Sequence, residues 1–312
     1  MRLNKGKIVI SIKKIRAFLG ATYYKGIRKY QMFKRLSLLF WRGDAFLKQL
    51  RLSEEWQERI ADVVACLDNA HIPRHFKAGR VKNGVQFMHN GLKINFGSYY
   101  GHAIARLLYE NRGVHEPQEE YIFGQVLTHL PTNAIIVELG AYWGFYSMWF
   151  LSVLPQAKAY LVEPDAENLK SGQSNFKLNG FKGHFTQAYI GAKSVFSEKL
   201  PTVNVDDFLT THALDFVHIL HADIQFAELD MLYGALQSIE NQRIGYVFIS
   251  THSNELHYQC LNWLTTHDFI IVAETDLADT FSFDGLIVGR SKYFEGITEM
   301  PISRKSQMPI LR

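Results

Sequence analysis

The stretch Ile135-Ile-Val-Glu-Leu-Gly-Ala-Tyr-Trp-Gly-Phe-Tyr-Ser147 decides the fold. An apolar run ends in Glu138 and is followed by Gly140 and Gly144, four positions apart. A second apolar run, Ala159-Tyr-Leu-Val-Glu163, also ends in an acid. The order is that of a buried strand, a tight glycine turn, a helix and a second strand tipped by a carboxylate. Such a crevice fits a nucleoside, because backbone can approach it at the glycines and the second carboxylate can accept from ribose hydroxyls.

The spacing separates two kinds of nucleotide ligand. A dinucleotide turn is written Gly-x-Gly-x-x-Gly, so that a helix N-terminus faces a pyrophosphate. Here Glu138 replaces the first of those glycines and would repel a phosphate. A nicotinamide-dependent oxidoreductase is disfavoured on that ground. The acid-x-Gly-x-x-x-Gly turn suits a cationic ligand, and S-adenosyl-L-methionine carries both an ammonium and a sulfonium.

Outward from this unit, strand and helix alternate to near the C-terminus, which predicts a mostly parallel α/β sheet with helices on both faces. Strands are expected at about 134–139, 159–164, 184–190, 215–223, 244–251, 269–275 and 283–289. Helices are expected at about 145–154, 166–179, 228–241 and 254–267. The close spacing of the last two strands predicts a final hairpin, and so one antiparallel strand among seven. Residues 52–130 form an accessory or cap region, with an amphipathic helix from Ser53 to Leu67, a hairpin at Asn90-Gly91 and a helix ending near His129. The nucleoside-binding domain is assigned to 131–291 and a tail to 292–312.

Residues 1–51 form a basic, mainly helical segment, with fourteen Lys and Arg against Asp44 alone and a helix predicted from Tyr30 to Leu50. Two readings stay open: a cap helix packed on the main domain or a second subunit, and contact with an anionic partner, whether membrane headgroups met peripherally, nucleic acid or an acidic substrate. No motif of a nucleic-acid-binding fold accompanies the charge, so nucleic acid is not expected. No apolar stretch approaches the roughly 20 residues that cross a bilayer. The two cysteines, Cys66 and Cys260, are far apart and form no C-x-x-C, which leaves zinc, iron–sulfur and disulfide chemistry without ligands and fits a cytoplasmic setting.

In an open parallel sheet, ligands bind beyond the carboxyl ends of the strands. The candidate cofactor residues are therefore Glu138, Gly140, Ala141, Tyr142, Gly144 and Ser147 after the first core strand, and Glu163, Pro164, Asp165 and Asn168 after the second. Gln187, Ala188 and Tyr189 follow the third and would flank an adenine, and Asp223 follows the fourth. His221, Asp223 and His252 project from adjacent strand ends. Transfer to an alcohol needs a base near neutrality, so either histidine is a candidate base, with Asp223 as its orienter or a cofactor contact. The competing readings are Asp223 as a helix cap and one histidine as a structural residue. The same three have donors for a divalent ion, but no metal is assigned. His218, alternating with Leu220, is read as a core residue.

These motifs resemble the FkbM-type methyltransferases, a branch of the class I S-adenosylmethionine-dependent enzymes, from about His115 to Arg290. Val137–Ser147 looks like the family's glycine loop, and Leu161-Val-Glu-Pro-Asp165 like its ribose-binding strand end. Thr202-Val-Asn-Val-Asp-Asp-Phe208 and Phe283-Asp-Gly-Leu-Ile-Val288 are similar to the segment before its fourth strand and to its closing strand. Ile219-Leu-His-Ala-Asp-Ile-Gln-Phe-Ala-Glu228 looks like its Lys-x-Asp-x-Glu-Gly-x-Glu block. The resemblance implies a Rossmann-like sandwich and O-methylation of a small-molecule hydroxyl on a sugar, glycolipid or secondary metabolite. Homo-oligomers are compatible with it. His221, Gln225 and Phe226 depart from the pattern; Phe226 stands where the family has glycine, so it either fills that space or walls the acceptor pocket. A catalytically silent adaptor is the alternative of a different class.

Overall fold

The computed structural model describes residues 43–308. Most of the basic segment, and most of the helix expected over Tyr30–Leu50, lies outside the described residues; within them, 43–49 are helical. Helix α1 (Glu54–Ala65) begins where Ser53 Oγ accepts from the Trp56 amide. A three-stranded antiparallel sheet comes next: β1 (Val81–Lys82), β2 (Val85–Phe87) and β3 (Lys93–Asn95). The expected hairpin is its β2–β3 turn, with Gly91 at φ +89°. Helices α2 (Gly101–Glu110) and α3 (Pro117–Leu127) complete the accessory region. Pro117 suits the first turn of α3, where an amide would have no helical acceptor.

The main sheet contains β4 (Ile135–Leu139), β5 (Lys158–Val162), β6 (His184–Thr186), β9 (Val217–Ala222), β10 (Ile244–Thr251), β11 (Phe269–Thr275) and β12 (Gly285–Ser291). Their order is β11-β12-β10-β9-β4-β5-β6. β4, β5, β6, β9 and β10 run parallel, while β12 is antiparallel to both β10 and β11. This is the mostly parallel, Rossmann-like α/β sandwich that the sequence predicts, with its one reversed strand. The expected third strand, 184–190, is shorter: after β6 the chain turns away, and β7 (Tyr189–Ile190) pairs with β8 (Thr202–Val203) in a separate ribbon.

Helices α4 (Phe145–Val153), α5 (Ala166–Asn179) and α9 (Asn254–Thr266) match their expected spans closely. The expected helix 228–241 is two, α7 (Glu228–Gly234) and α8 (Leu236–Glu240), and α6 (Val205–Thr211) is an addition to the expected set. Alternation along the strands divides the core between the two faces. Ile136 and Phe248 pack with Val63, Met88, Ile104 and Phe123 of the accessory region and with Phe145 and Phe150 of α4. Their neighbours Val137, Val247 and Ile249 face Leu232, Cys260 and Leu264. Every residue of central β10 is buried. Among the described residues, no helix is long and apolar enough to cross a membrane.

Candidate active site

The chain runs from β4 outward to β6 and returns to place β9 on the other side of β4. The switch point between β4 and β9 opens a crevice at their carboxyl ends. A cavity of about 390 Å³ lies there, within the roughly 300–1,000 Å³ range of small-molecule sites.

Its floor is the glycine turn. The amides of Gly140 and Ala141 both donate to Val162 O, at 2.9 and 3.0 Å, and the Asp223 amide donates to Leu139 O at 3.0 Å. The turn is thereby held between β5 and β9. Glu138, at the end of β4, is buried beneath it and accepts from the Ser147 amide at 3.0 Å, satisfying an unpaired amide in the first turn of α4. Burial raises its carboxyl above the usual range, against the pull of His221 and Ser147. Gly144, left-handed at φ +69°, precedes α4, and a side chain there would press on Phe176. Gly144 and Ser147 shape the turn and stand behind the cavity wall rather than in it.

Glu163 forms the opposite wall. Its Oε2 accepts from the Tyr142 amide at 3.0 Å and its Oε1 from the Asp165 amide at 2.9 Å. Two backbone donors fix the carboxylate and still leave lone pairs for a ligand's hydroxyls. Burial again raises its pKa. Pro164, Asp165 and Asn168 line the same wall, and Asp165 also caps α5 through the amides of Glu167 and Asn168. Ala188 and Tyr189 line the cavity where an adenine was expected, while Gln187 turns away to donate to Pro164 O.

Asp223 lines the cavity and does not cap the next helix, which starts after Ala227 with no side-chain cap. His221 also lines it, with Nε2 2.6 Å from Glu119 Oε1. Burial disfavours its charged ring, but Glu119, Glu138 and Asp223 outweigh that and raise its pKa. His252 stands one strand further along, outside the cavity wall. Its Nδ1 is 2.6 Å from Glu228 Oε1, and its Nε2 is 3.3 Å from Asp223 Oδ1 and 3.6 Å from Asp284 Oδ1. Burial works against its charge; the two hydrogen-bonding carboxylates, with Asp284, nonetheless lift it to about 10. His218 is a structural residue, its Nδ1 accepting from the Ile135 amide at 3.0 Å.

Sequence reasoning missed two groups. Tyr99 and Tyr100, from the accessory region, roof the cavity: Tyr99 stacks on Trp143 with centroids 4.1 Å apart, and the Tyr100 amide donates to the Tyr142 hydroxyl. A buried carboxylate–imidazole network around the head of α3 reaches the cavity lining through His115, Glu116 and Tyr146. His115 meets Glu116 at 3.1 Å and Glu120 at 2.6 Å, His89 meets Glu120 at 3.3 Å, and the Tyr146 hydroxyl donates to Glu116 at 2.8 Å. Burial opposes both charges, yet the pairing lifts His115 to about 10 and holds Glu116 at about 2. The only hint was the run of acids in His115-Glu-Pro-Gln-Glu-Glu120. Among the described residues, no group of three or more His, Cys, Asp or Glu is arranged to hold a metal ion.

Phe226 neither fills the cavity nor is buried: it is 69% exposed, and its ring tilts over His252 with centroids 5.6 Å apart. Its φ is +72° and that of Gln225 is +44°. The position that resembles a family glycine is left-handed, the conformation glycine adopts without strain.

No curated protein matches the chain. Similar solved structures include a precorrin-6y C5,15-methyltransferase from Geobacter metallireducens, 12% identical, covering 55% of this chain and 89% of that one, with a TM-score of 0.40. TrmK of M. capricolum, solved with S-adenosyl-homocysteine, is 12% identical, with coverage of 58% and 70% and a TM-score of 0.37. The B. subtilis M1A22 tRNA methyltransferase TrmK is 11% identical, with coverage of 54% and 64% and a TM-score of 0.34. Residues 183–271, from β6 into β11, match the family model of the methyltransferase FkbM domain.

Proposed function

We propose that the protein is an S-adenosyl-L-methionine-dependent methyltransferase acting on a hydroxyl of a sugar, glycolipid or secondary metabolite. The observation that carries this reading is the cavity at the sheet's switch point, whose lining brings together the glycine turn, Glu163 and Asp223. The donor set fits the cofactor: Glu163 has spare acceptor sites for ribose hydroxyls, Ala188 and Tyr189 offer a surface for the base, and Glu138 and Asp223 give the far end a negative lining for an ammonium. Bound there, S-adenosylmethionine supplies a methyl group already activated on a positive sulfur.

The chain's own contribution is then to hold, orient and dry the reactants. Tyr99, Tyr100 and Tyr142 cover the crevice and limit water. Gln225 reaches toward the Tyr100 hydroxyl at 3.5 Å, linking the β9 loop to that roof. Tyr100 and Phe226 are exposed near Asp223 and His252, so a ring-shaped acceptor meets aromatic faces beside carboxylates that accept from hydroxyls.

The test is calorimetry with S-adenosylmethionine and S-adenosylhomocysteine, followed by transfer of a labelled methyl group to matched hydroxyl and amine acceptors. Micromolar binding and label on the hydroxyl series are expected. No heat with either nucleoside overturns the cofactor reading; label on amines alone overturns O-methylation.

A further inference from the structure

Asp284 immediately precedes β12. Because β12 is antiparallel, its beginning, rather than its end, lies at the ligand edge of the sheet. Gly285 pairs with Thr251, the last residue of β10, so Asp284 stands beside His252. Asp223 reaches the same imidazole from the end of β9 and also lines the cofactor cavity.

The imidazole has two N–H groups and three carboxylates around it. Nδ1 is committed to Glu228, fully buried, at 2.6 Å. The Nε2 proton has Asp223 at 3.3 Å and Asp284 at 3.6 Å, and a single proton points to one of them. Asp223 is the nearer of the two. Among the described residues, the side-chain hydrogen bond that reaches Asp284 runs from Ser282 Oγ to its backbone carbonyl, so its carboxylate is left without a donor. The Asp284 side chain is 24% exposed, open to a small molecule yet largely removed from water.

We propose that Asp284 accepts the proton of the acceptor hydroxyl, with His252, clamped by Glu228, as a charged positioning group beside it; the proposal rests on the methyltransferase reading above. In the step, the acceptor's O–H bond breaks as its oxygen bonds the methyl carbon. The carbon–sulfur bond breaks with its electron pair left on sulfur, and the proton passes to an Asp284 oxygen and then to solvent.

The surrounding groups suit this role. Asp284 faces Asp223 from β9, His252 from β10, Glu116 from the head of α3, Arg59 from α1 and Tyr100 from the roof. Burial, then Asp223, push its carboxyl up; Glu116 adds to this while His252 and Arg59 oppose it, and the balance sits at about 7. A base is most effective when it titrates near the working pH. His252, charged well above neutrality, is a poor proton acceptor there and serves better to hold Asp223 in place.

The test pairs Asp284→Asn and Asp284→Glu with the wild type. Each is examined by S-adenosylhomocysteine calorimetry, by carbon-13 NMR titration of the aspartate carboxyls, and by methyl transfer to a panel of methyl glycosides of neutral hexoses. The expected results are cofactor-product affinity within about twofold for Asp284→Asn, loss of the one carboxyl resonance titrating near neutrality, and transfer to the best glycoside down about 100-fold or more. Asp284→Glu should regain part of the rate, and wild-type kcat/KM should rise with unit slope to a plateau above pH 7. An Asp284 carboxyl titrating near pH 4, or an Asp284→Asn rate within threefold of wild type, overturns the proposal. Loss of S-adenosylhomocysteine binding by the wild type would instead sink the cofactor reading on which it stands.

Discussion

Gly140 and the carbonyl oxygen of Asp223 are packed so closely that a Cβ on Gly140 would overlap that oxygen. Gly140 is also left-handed, at φ +73°. Two independent penalties therefore fall on any side chain: about 1 kcal/mol for the conformation and about 1–3 kcal/mol for overpacking. The contact joins the β4 turn to the β9 loop across the switch point. Gly140→Ala should accordingly lower the melting temperature by several degrees and weaken S-adenosylhomocysteine at least tenfold. A variant with unchanged melting and unchanged calorimetry would show that the two loops are not coupled.

Glu163 is fixed by the amides of Tyr142 and Asp165 before any ligand arrives. The entropy of orienting it has already been spent in folding, so its bonds to ribose hydroxyls count nearly in full. Charge-assisted hydrogen bonds contribute about 1.5–3 kcal/mol each. Glu163→Gln also turns an NH2 group toward a backbone donor. Affinity for S-adenosylhomocysteine, measured by calorimetry, should fall about 10- to 100-fold, with far-UV circular dichroism unchanged.

At Phe226 the structure gives a counter-intuitive expectation. Removing a buried phenylalanine costs about 3–5 kcal/mol. Phe226, however, is mostly exposed and sits in a left-handed conformation, which costs a bulky residue about 1–2 kcal/mol. Phe226→Gly exchanges that strain for a more flexible unfolded chain. Urea unfolding should show stability within about 1 kcal/mol of wild type. A loss above about 3 kcal/mol would mean that the ring is packed rather than displayed.

The parts of this site legible in the sequence are those in which local pattern and function coincide. Glu138, Gly140 and Glu163 announce themselves because a strand, a turn and a strand-tip acid lie within 26 residues. Tyr99, Tyr100, His115 and Glu116 reach the same cavity only through the packing of the accessory region against α4 and the sheet, and nothing in their local spacing encodes that approach. Asp284 was hidden for a different reason. In a parallel strand the ligand residues lie just past the C-terminal end, whereas on reversed β12 the ligand edge holds the residues that precede the strand. The break between β6 and β7 was equally silent, since 184–190 remains apolar enough to read as one strand.

The His252–Asp284 pair gives a pH dependence of stability with a definite sign. A group whose folded pKa is raised binds protons more tightly when folded, so its contribution to stability falls as pH rises. For His252 the stabilisation is complete below its ordinary value of 6.5 and is lost only as pH rises through about 10. For Asp284, stability falls between its ordinary 3.8 and about 7, and above that the full cost of a partly buried, repelled carboxylate is carried. At 1.36 kcal/mol per unit the ceiling is about 4 kcal/mol, and partial exposure reduces it to roughly 1–3 kcal/mol. Asp284→Asn removes that cost. The stability difference between variant and wild type, from urea unfolding at pH 5 and pH 8, should therefore grow in the variant's favour toward pH 8. A difference that stays flat over this range would show that Asp284 titrates like an ordinary surface carboxylate.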